Sequence, residues 1–299
     1  MTGPADRCGT TLESLLAFGD YRGIERGELL AAAGGAVTHG ATVTGLEQDA
    51  GRVRAVLTDG AAEFDVVVAA DGMRSATRAL VLESGQVTGY DTGWGGWVAW
   101  TDPDDAADRY DECWGAGFFL GTYPVKGRVG VFAGGPRRDT VAGPAAFVGR
   151  VRERLRAQDE RLGHALEVVA EDLDVHSWPM TDVRTATWSA GRVGLLGDAA
   201  AGFLPTAGIG AAMAMESAAV LGWSLAGATA ESVPEVLRGF EARQRPRVEA
   251  AQRNSRVLAR LVFRSSRPVA VARDLASRFM TLDLALAPIR RLLENRPEV

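Results

Sequence analysis

Lysine is almost missing from this chain. Of 33 basic residues among 299, only Lys126 is lysine and the other 32 are arginine. Cysteine is equally scarce. Cys8 and Cys113 are the only two, which excludes a disulfide framework or a Cys-rich metal site. The three histidines, His39, His164 and His176, are far apart and lack ligand spacing, which argues against a metal centre. A net charge of −5 argues against general affinity for nucleic acid. The opening residues hold no basic cluster followed by an apolar core, so no signal peptide is visible and a cytoplasmic location is the expectation. No Ser-His-Asp or Cys-His arrangement is present, and no side chain is assigned a catalytic role.

Long apolar runs are also missing, with one exception. Ala199–Met215 is free of charge, and only Glu216 interrupts the run to Ala230. It contains Pro205 and a Gly-x-Gly, and much of it is alanine, so it reads as protein interior rather than a membrane span. Charge is unevenly spread. Residues 238–299 hold 14 Arg against 6 acids, a surplus of +8 that leaves −13 for the remainder. Such a tail suits a membrane surface or another anionic partner, or an arginine face packed on an acidic body.

The chain changes character along its length. Residues 12–34 read as helical, interrupted near Gly19–Gly23. Ala41–Leu46, Val53–Leu57 and Val66–Ala70 are short strand-like runs, with a hairpin-type turn at Asp59-Gly60. From Thr88 to Pro136 the sequence is rich in Gly and aromatics, and Trp94–Trp100, Phe118–Tyr123 and Val129–Ala133 look like antiparallel strands. With a period of two, Trp94 and Trp100 share a face and Trp97 takes the other. Residues 144–169, 208–228 and most of 234–296 read as helix, and Asp174–Pro179 and Val193–Gly197 as strands. In 247–264, Ala251, Ser255, Leu258 and Val262 make one stripe, with Arg253, Arg256, Arg260 and Arg264 opposite.

Two strand-to-helix junctions carry the chemistry. At the first, Val66–Ala70 ends in Asp71-Gly72, followed by Arg74-Ser75 and Arg78. Gly72 lets a ligand approach the backbone, and free amides at the helix start, with Arg74 and Arg78, suit an anion. At the second, a buried strand delivers Gly197-Asp198-Ala199-Ala200 at its carboxyl end, where open α/β sheets bind ligands. A carboxylate there accepts hydrogen bonds from sugar-type hydroxyls. Pro205 then breaks the chain, and Gly208-Ile-Gly210 opens a long helix whose amino end favours negative charge. Taken singly, each junction is also what an ordinary buried turn with a helix cap would give.

Together the junctions resemble the FAD-dependent aromatic hydroxylase superfamily, the group A flavoprotein monooxygenases with a p-hydroxybenzoate hydroxylase-like fold. Asp71-Gly72…Arg78 is similar to the family's Asp-Gly motif, which touches FAD and the nicotinamide coenzyme. Gly197-Asp198-Ala199-Ala200 is similar to its Gly-Asp-Ala-Ala motif, whose Asp holds the ribityl chain. Pro205…Gly208-Ile-Gly210 looks like the segment beside the flavin pyrimidine ring, and Arg26-Gly-Glu-Leu29 like the Arg-x-x-Leu helix next to the cofactor. The likeness runs from about Tyr21 to Arg260.

The resemblance implies an α/β fold. A Rossmann-like three-layer FAD/NAD(P)-binding domain, N-terminally incomplete, is expected over 1–88 and 178–233. A mainly antiparallel substrate-binding sheet spans 89–177, and a helical tail covers 234–299. It further implies FAD as cofactor and NAD(P)H as co-substrate. O2 would serve to hydroxylate a small apolar or aromatic substrate, with Trp94 and Trp100 lining its pocket. Two departures qualify this. Ala201 stands where the family usually has His, as in members that saturate lipid chains, which leaves a flavin-dependent reductase of isoprenoid or lipid chains open. The Gly-x-Gly-x-x-Gly strand–turn–helix that normally seats the ADP half is not found. The expectation is therefore a chain without its first segment, completed by upstream residues or a partner chain, or else a fragment that no longer acts. On that basis Val66–Ala70 should keep a partly unpaired edge.

Overall fold

In the computed structural model the described residues are 10–11, 26–33, 35, 37–102, 111–155, 160–172 and 175–277. By chain order they begin with β1 (Thr10–Thr11), α1 (Arg26–Ala33), β2 (Val43–Gln48) and β3 (Val53–Leu57). Next come β4 (Gly60–Phe64), β5 (Val67–Ala69), α2 (Ala76–Ala79) and the long β6 (Val87–Thr101). The strands β7 (Asp111–Gly115), β8 (Phe118–Val125) and β9 (Arg128–Pro136) lead into α3 (Arg137–Thr140), α4 (Pro144–Arg154) and α5 (Glu160–Glu171). Then follow β10 (His176–Thr185), β11 (Ser189–Ala190), β12 (Val193–Leu195) and β13 (Ala201–Gly202). The helices α6 (Gly210–Ala226), α7 (Val233–Val262) and α8 (Arg267–Ser277) complete the series.

The chain forms two compact units. The first takes Met1–Ala36, Thr92–Met180 and Arg260–Ala285, the second Val37–Asp91, Thr181–Ala259 and Leu286–Val299. Residues 26–33 group with the first unit, and most of α7 with the second.

The first unit is an antiparallel sheet backed by helices. Strands β7, β8, β9 and β6 are neighbours in that order, with Trp114 opposite Phe119, Gly121 opposite Phe132 and Trp97 opposite Ala133. The alternation of the strands drives the packing. Trp97, Leu120 and Val131 point to the same side and are buried with Phe147, Val148 and Leu166 of α4 and α5. Pro144 at the start of α4 supplies a preset φ where no intrahelical donor is needed. The sequence pattern missed β7, because Glu112 and the flanking Asp and Cys break its apolar run.

In the second unit, Asp59-Gly60 joins β3 and β4 as expected, and β2 completes a three-stranded antiparallel sheet. A separate sheet has the order β11-β12-β5, and its β12–β5 pair is parallel, with Leu195 beside Ala69. Among the described residues β5 has β12 as its one neighbour. Val67 and Val68 are only half-buried. The core of this unit joins Ala69 and Leu195 of the sheet to Met213, Val220 and Leu221 of α6 and to Leu237, Phe240 and Val248 of α7.

Two sequence expectations need correction here. The run Ala199–Ala230 is not interior throughout: Met215 is 47% exposed and Trp223 55%, because α6 buries one face and leaves the other bare. Nor are Arg253, Arg256, Arg260 and Arg264 all directed to solvent. Arg256 turns inward to Asp182, whereas Arg253, Arg260 and Arg264 are exposed. None of the described helices is long and apolar enough to cross a membrane.

Candidate functional site

Nine of the ten cofactor-site residues read from the sequence lie in the second unit. The tenth, Arg26, opens α1 in the first unit, and its side chain lies outside the described residues.

The parallel strands β5 and β12 deliver Asp71 and Asp198 just beyond their carboxyl ends. The two acids are used differently. Ser75 Oγ donates to Asp71 Oδ1, and the Thr77 amide donates to Asp71 Oδ2 at 3.0 Å. Burial opposes ionisation of Asp71, but these bonds prevail and hold its carboxyl below the ordinary range. The Arg78 amide in turn donates to Ser75 Oγ at 2.9 Å. Asp71 and Ser75 thus cap the short helix α2, and the amides expected to be free for an anion are taken. Arg78 is only 8% exposed, and its guanidinium donates to the carbonyls of Ala199 (2.8 Å) and Met73 (2.9 Å). It ties the Asp71-Gly72 turn to the Gly197–Ala199 turn rather than presenting its charge to solvent.

Asp198 has no such partners. Among the described residues no donor reaches its carboxylate, and burial alone pushes it above its ordinary value of 3.8. An unpaired, half-buried carboxylate at a strand's carboxyl end is an acceptor awaiting donors. The turn that presents it depends on Gly197, whose φ of +58° is left-handed; a Cβ there would stand 3.2 Å from that of Ala214 in α6.

Beyond Asp198 the chain crosses β13 and turns at Pro205–Ala207. Gly208 then adopts a left-handed φ of +63° that redirects it into α6. Among the described residues no side chain caps the amino end of α6, where Ile209 holds the cap position. Its first amides therefore remain donors, next to a positive helix end.

The supporting shell comes from α7, and sequence reasoning missed most of it. Gln252 is fully buried and donates to the carbonyls of Gly202 (2.6 Å) and Val183 (2.8 Å), while accepting from Arg184 Nε. Ser255 Oγ donates to Leu204 O at 2.8 Å, and Thr206 Oγ1 donates to Ser255 O at 2.8 Å. Thr185 Oγ1 holds Ala200 O at 2.9 Å. These bonds fix the backbone from 200 to 206 between Asp198 and α6. The one visible signal was Ser255 and polar Gln252 on or beside an apolar helical stripe.

Trp94 and Trp100 share a sheet face in the first unit, as their spacing requires. Trp94 is 5% exposed and stacks on Phe263 with ring centroids 4.8 Å apart. Trp100 is 39% exposed and lies under the Arg128 guanidinium at 4.9 Å. A separate open cleft of about 650 Å³ in the second unit, between β11 and α7, includes Ser189, Arg238 and Arg245 among its walls.

Comparison with known proteins places these features in a family. Residues 28–255 match the family model described as the FAD binding domain. Aurachin C monooxygenase/isomerase of Stigmatella aurantiaca is 33% identical over 193 residues, covering 61% of this chain and 48% of that protein. The FAD-dependent urate hydroxylase of Mycolicibacterium vanbaalenii is 30% identical over 200 residues, covering 63% and 49%. Among solved structures, Klebsiella pneumoniae HpxO complexed with FAD and uric acid superposes with a TM-score of 0.73 at 25% identity. That likeness covers 85% of this chain and 66% of the other. The chain spans about half the length of the curated relatives it matches.

Proposed function

The chain belongs to the FAD binding domain family, and from that premise we propose that it holds FAD through the Asp198 turn and the amino end of α6. On this reading the assembled protein is a flavin-dependent monooxygenase that draws on NAD(P)H and O2 and hydroxylates a small apolar or aromatic substrate. The observation that carries the cofactor assignment is the unpaired Asp198 carboxylate at the end of β12, whose empty acceptor positions suit the hydroxyls of a ribityl chain.

FAD, when bound, supplies the redox chemistry that no side chain here provides. The chain's own contribution is placement. Asp198 accepts hydroxyl hydrogen bonds. The bare amides at Gly210 and beyond favour negative charge on a group set against them. Gly72, with a φ of +85°, leaves the backbone open to close approach, and Arg78 keeps that turn registered against Ala199. Gln252 and Ser255 hold the connecting backbone in place.

A flavin titration tests the assignment. Asp198→Ala removes charge-assisted bonds worth about 1.5–3 kcal/mol, so FAD affinity falls roughly tenfold or more. Equal affinity in the two proteins removes Asp198 from the site. Consumption of NAD(P)H with and without O2, and with and without an unsaturated lipid acceptor, separates an oxygenase from the reductase that Ala201 keeps in view.

The edge of β5 that no described residue pairs favours one addition to this reading. A strand laid parallel to β5, from another segment or a partner chain, would satisfy its unpaired amides and carbonyls and would bring further groups toward the ADP half of FAD. Its test is flavin affinity measured with and without a separately expressed strand–turn–helix carrying Gly-x-Gly-x-x-Gly. Unchanged affinity overturns this addition.

A further inference from the structure

The open cleft between β11 and α7 lies wholly within the second unit and, at about 650 Å³, has room for a small molecule. None of the cofactor-site residues read from the sequence lines it. Its helical wall is a stripe of α7 made by Pro234, Arg238, Glu241, Ala242, Arg245 and Pro246, at the three- and four-residue spacings that keep side chains on one helix face. Thr187 and Ser189 belong to the facing wall.

The charges on this stripe are unequally used. Glu241 Oε2 accepts from Thr187 Oγ1 at 2.9 Å and from Ser189 Oγ at 3.2 Å, and its Oε1 accepts from Arg245 Nη1 at 2.9 Å. Arg245 Nε also donates to Glu249 Oε1 at 2.8 Å. The acid is thus supplied with donors, and Arg245 is held by two carboxylates. Arg238 is exposed, and among the described residues it makes no hydrogen bond or ion pair. Its whole guanidinium fork is free to take an oxyanion. One turn further on, about 6 Å along the axis, the backbone offers an acceptor. Pro246 lies inside α7 and has no amide hydrogen, so the Ala242 carbonyl lacks the donor that a helix normally places four residues later. Ala242 is exposed and Pro246 lines the cleft beside it, so that carbonyl is within reach of a ligand.

We propose that this cleft binds a sugar phosphate, with Arg238 taking the phosphate and the Ala242 carbonyl accepting a sugar hydroxyl. Two guanidinium groups against one carboxylate leave the cleft positive, which favours an anion over a cation. The phosphate supplies attraction. The hydroxyl supplies selection, because phosphate alone leaves the Ala242 carbonyl to water. This binding uses none of the residues assigned to FAD and does not depend on that reading.

The probes are ribose 5-phosphate and inorganic phosphate, each titrated calorimetrically into the full chain at the same ionic strength. The wild type should bind ribose 5-phosphate about threefold or more tightly than phosphate, the return on one added neutral hydrogen bond. Arg238 is exposed, so Arg238→Ala should fold normally. It should weaken both probes about tenfold, and Arg238→Lys, which keeps the charge without the fork, should weaken them less. Pro246→Ala returns an amide to α7 and engages the Ala242 carbonyl. It should bring ribose 5-phosphate down to the affinity of phosphate and leave phosphate unchanged. Asp198→Ala should bind both probes as the wild type does. No binding of ribose 5-phosphate, equal affinity for the two probes in the wild type, unchanged binding in Arg238→Ala, or a preference that survives in Pro246→Ala each overturns the proposal. Loss of ribose 5-phosphate binding in Asp198→Ala overturns it as well, by moving the sugar phosphate to the cofactor turn.

Discussion

Arg256 is the point at which one substitution should reveal how α7 is held to β10 in the second unit. Its Nε and terminal nitrogen meet Asp182 Oδ2 and Oδ1 at 2.6 and 2.7 Å, and its guanidinium lies 4.9 Å from the Tyr90 ring. The Asp182 carboxylate is fully buried, whereas Arg256 keeps 23% of its side chain exposed. Arg256→Met leaves that carboxylate desolvated and unpaired. Breaking a buried pair from one side costs about 3–5 kcal/mol, and the partial exposure of Arg256 points to the lower end. For a body of this size that is a fall in Tm of roughly 6–12 °C. Urea unfolding followed by circular dichroism reads the loss directly. The companion variant Arg256→Met with Asp182→Leu removes both charges and should recover part of it. A loss below about 1 kcal/mol in the single variant, or no recovery in the double, would refute the view that the pair fixes α7 to β10.

Other outcomes follow from the same geometry. Asp198 binds its proton more tightly folded than unfolded, because burial raises it above 3.8; its ionisation therefore weakens the flavin-free fold as pH rises through the folded value. Asp198→Asn should stabilise the flavin-free chain at pH 7, by a margin that shrinks as pH falls toward 3.8, and urea midpoints that show a constant or reversed gap would contradict this. Gly208→Ala forces a left-handed φ on an L side chain and should cost about 1–2 kcal/mol. Gly197→Ala should cost more, since its Cβ also crowds Ala214 at 3.2 Å, and thermal melts showing the reverse order would be inconsistent with the strain. The exposed Arg253, Arg260 and Arg264 should give salt-sensitive retention on vesicles containing phosphatidylserine. Equal sedimentation with neutral vesicles would leave them as solvated side chains.

Local chemistry was enough to locate much of the fold and the two turns that follow β5 and β12. A hairpin at Asp59-Gly60, acids at the ends of β5 and β12, and a chain reversal at Pro205–Gly208 before α6 all depend on residues within a few positions of one another. Turn glycines, strand alternation and helix starts are encoded at that range, so they could be read directly. The face shared by Trp94 and Trp100, apart from Trp97, follows from pleating alone. What the sequence could not determine was which partner each polar group would find. Arg78 looked like an anion ligand, yet it is spent on the carbonyls of Met73 and Ala199, the latter 121 residues away. Gln252, Ser255 and Arg256 looked like parts of an ordinary amphipathic helix until packing set them against Gly202, Leu204 and Asp182. Glu112 obscured its own strand, and its bonds to Trp114 and Tyr123 exist only once β7 and β8 are in register. Hydrogen bonds and desolvation act over a few ångströms in space, whatever the separation along the chain, and only the tertiary structure supplies those distances.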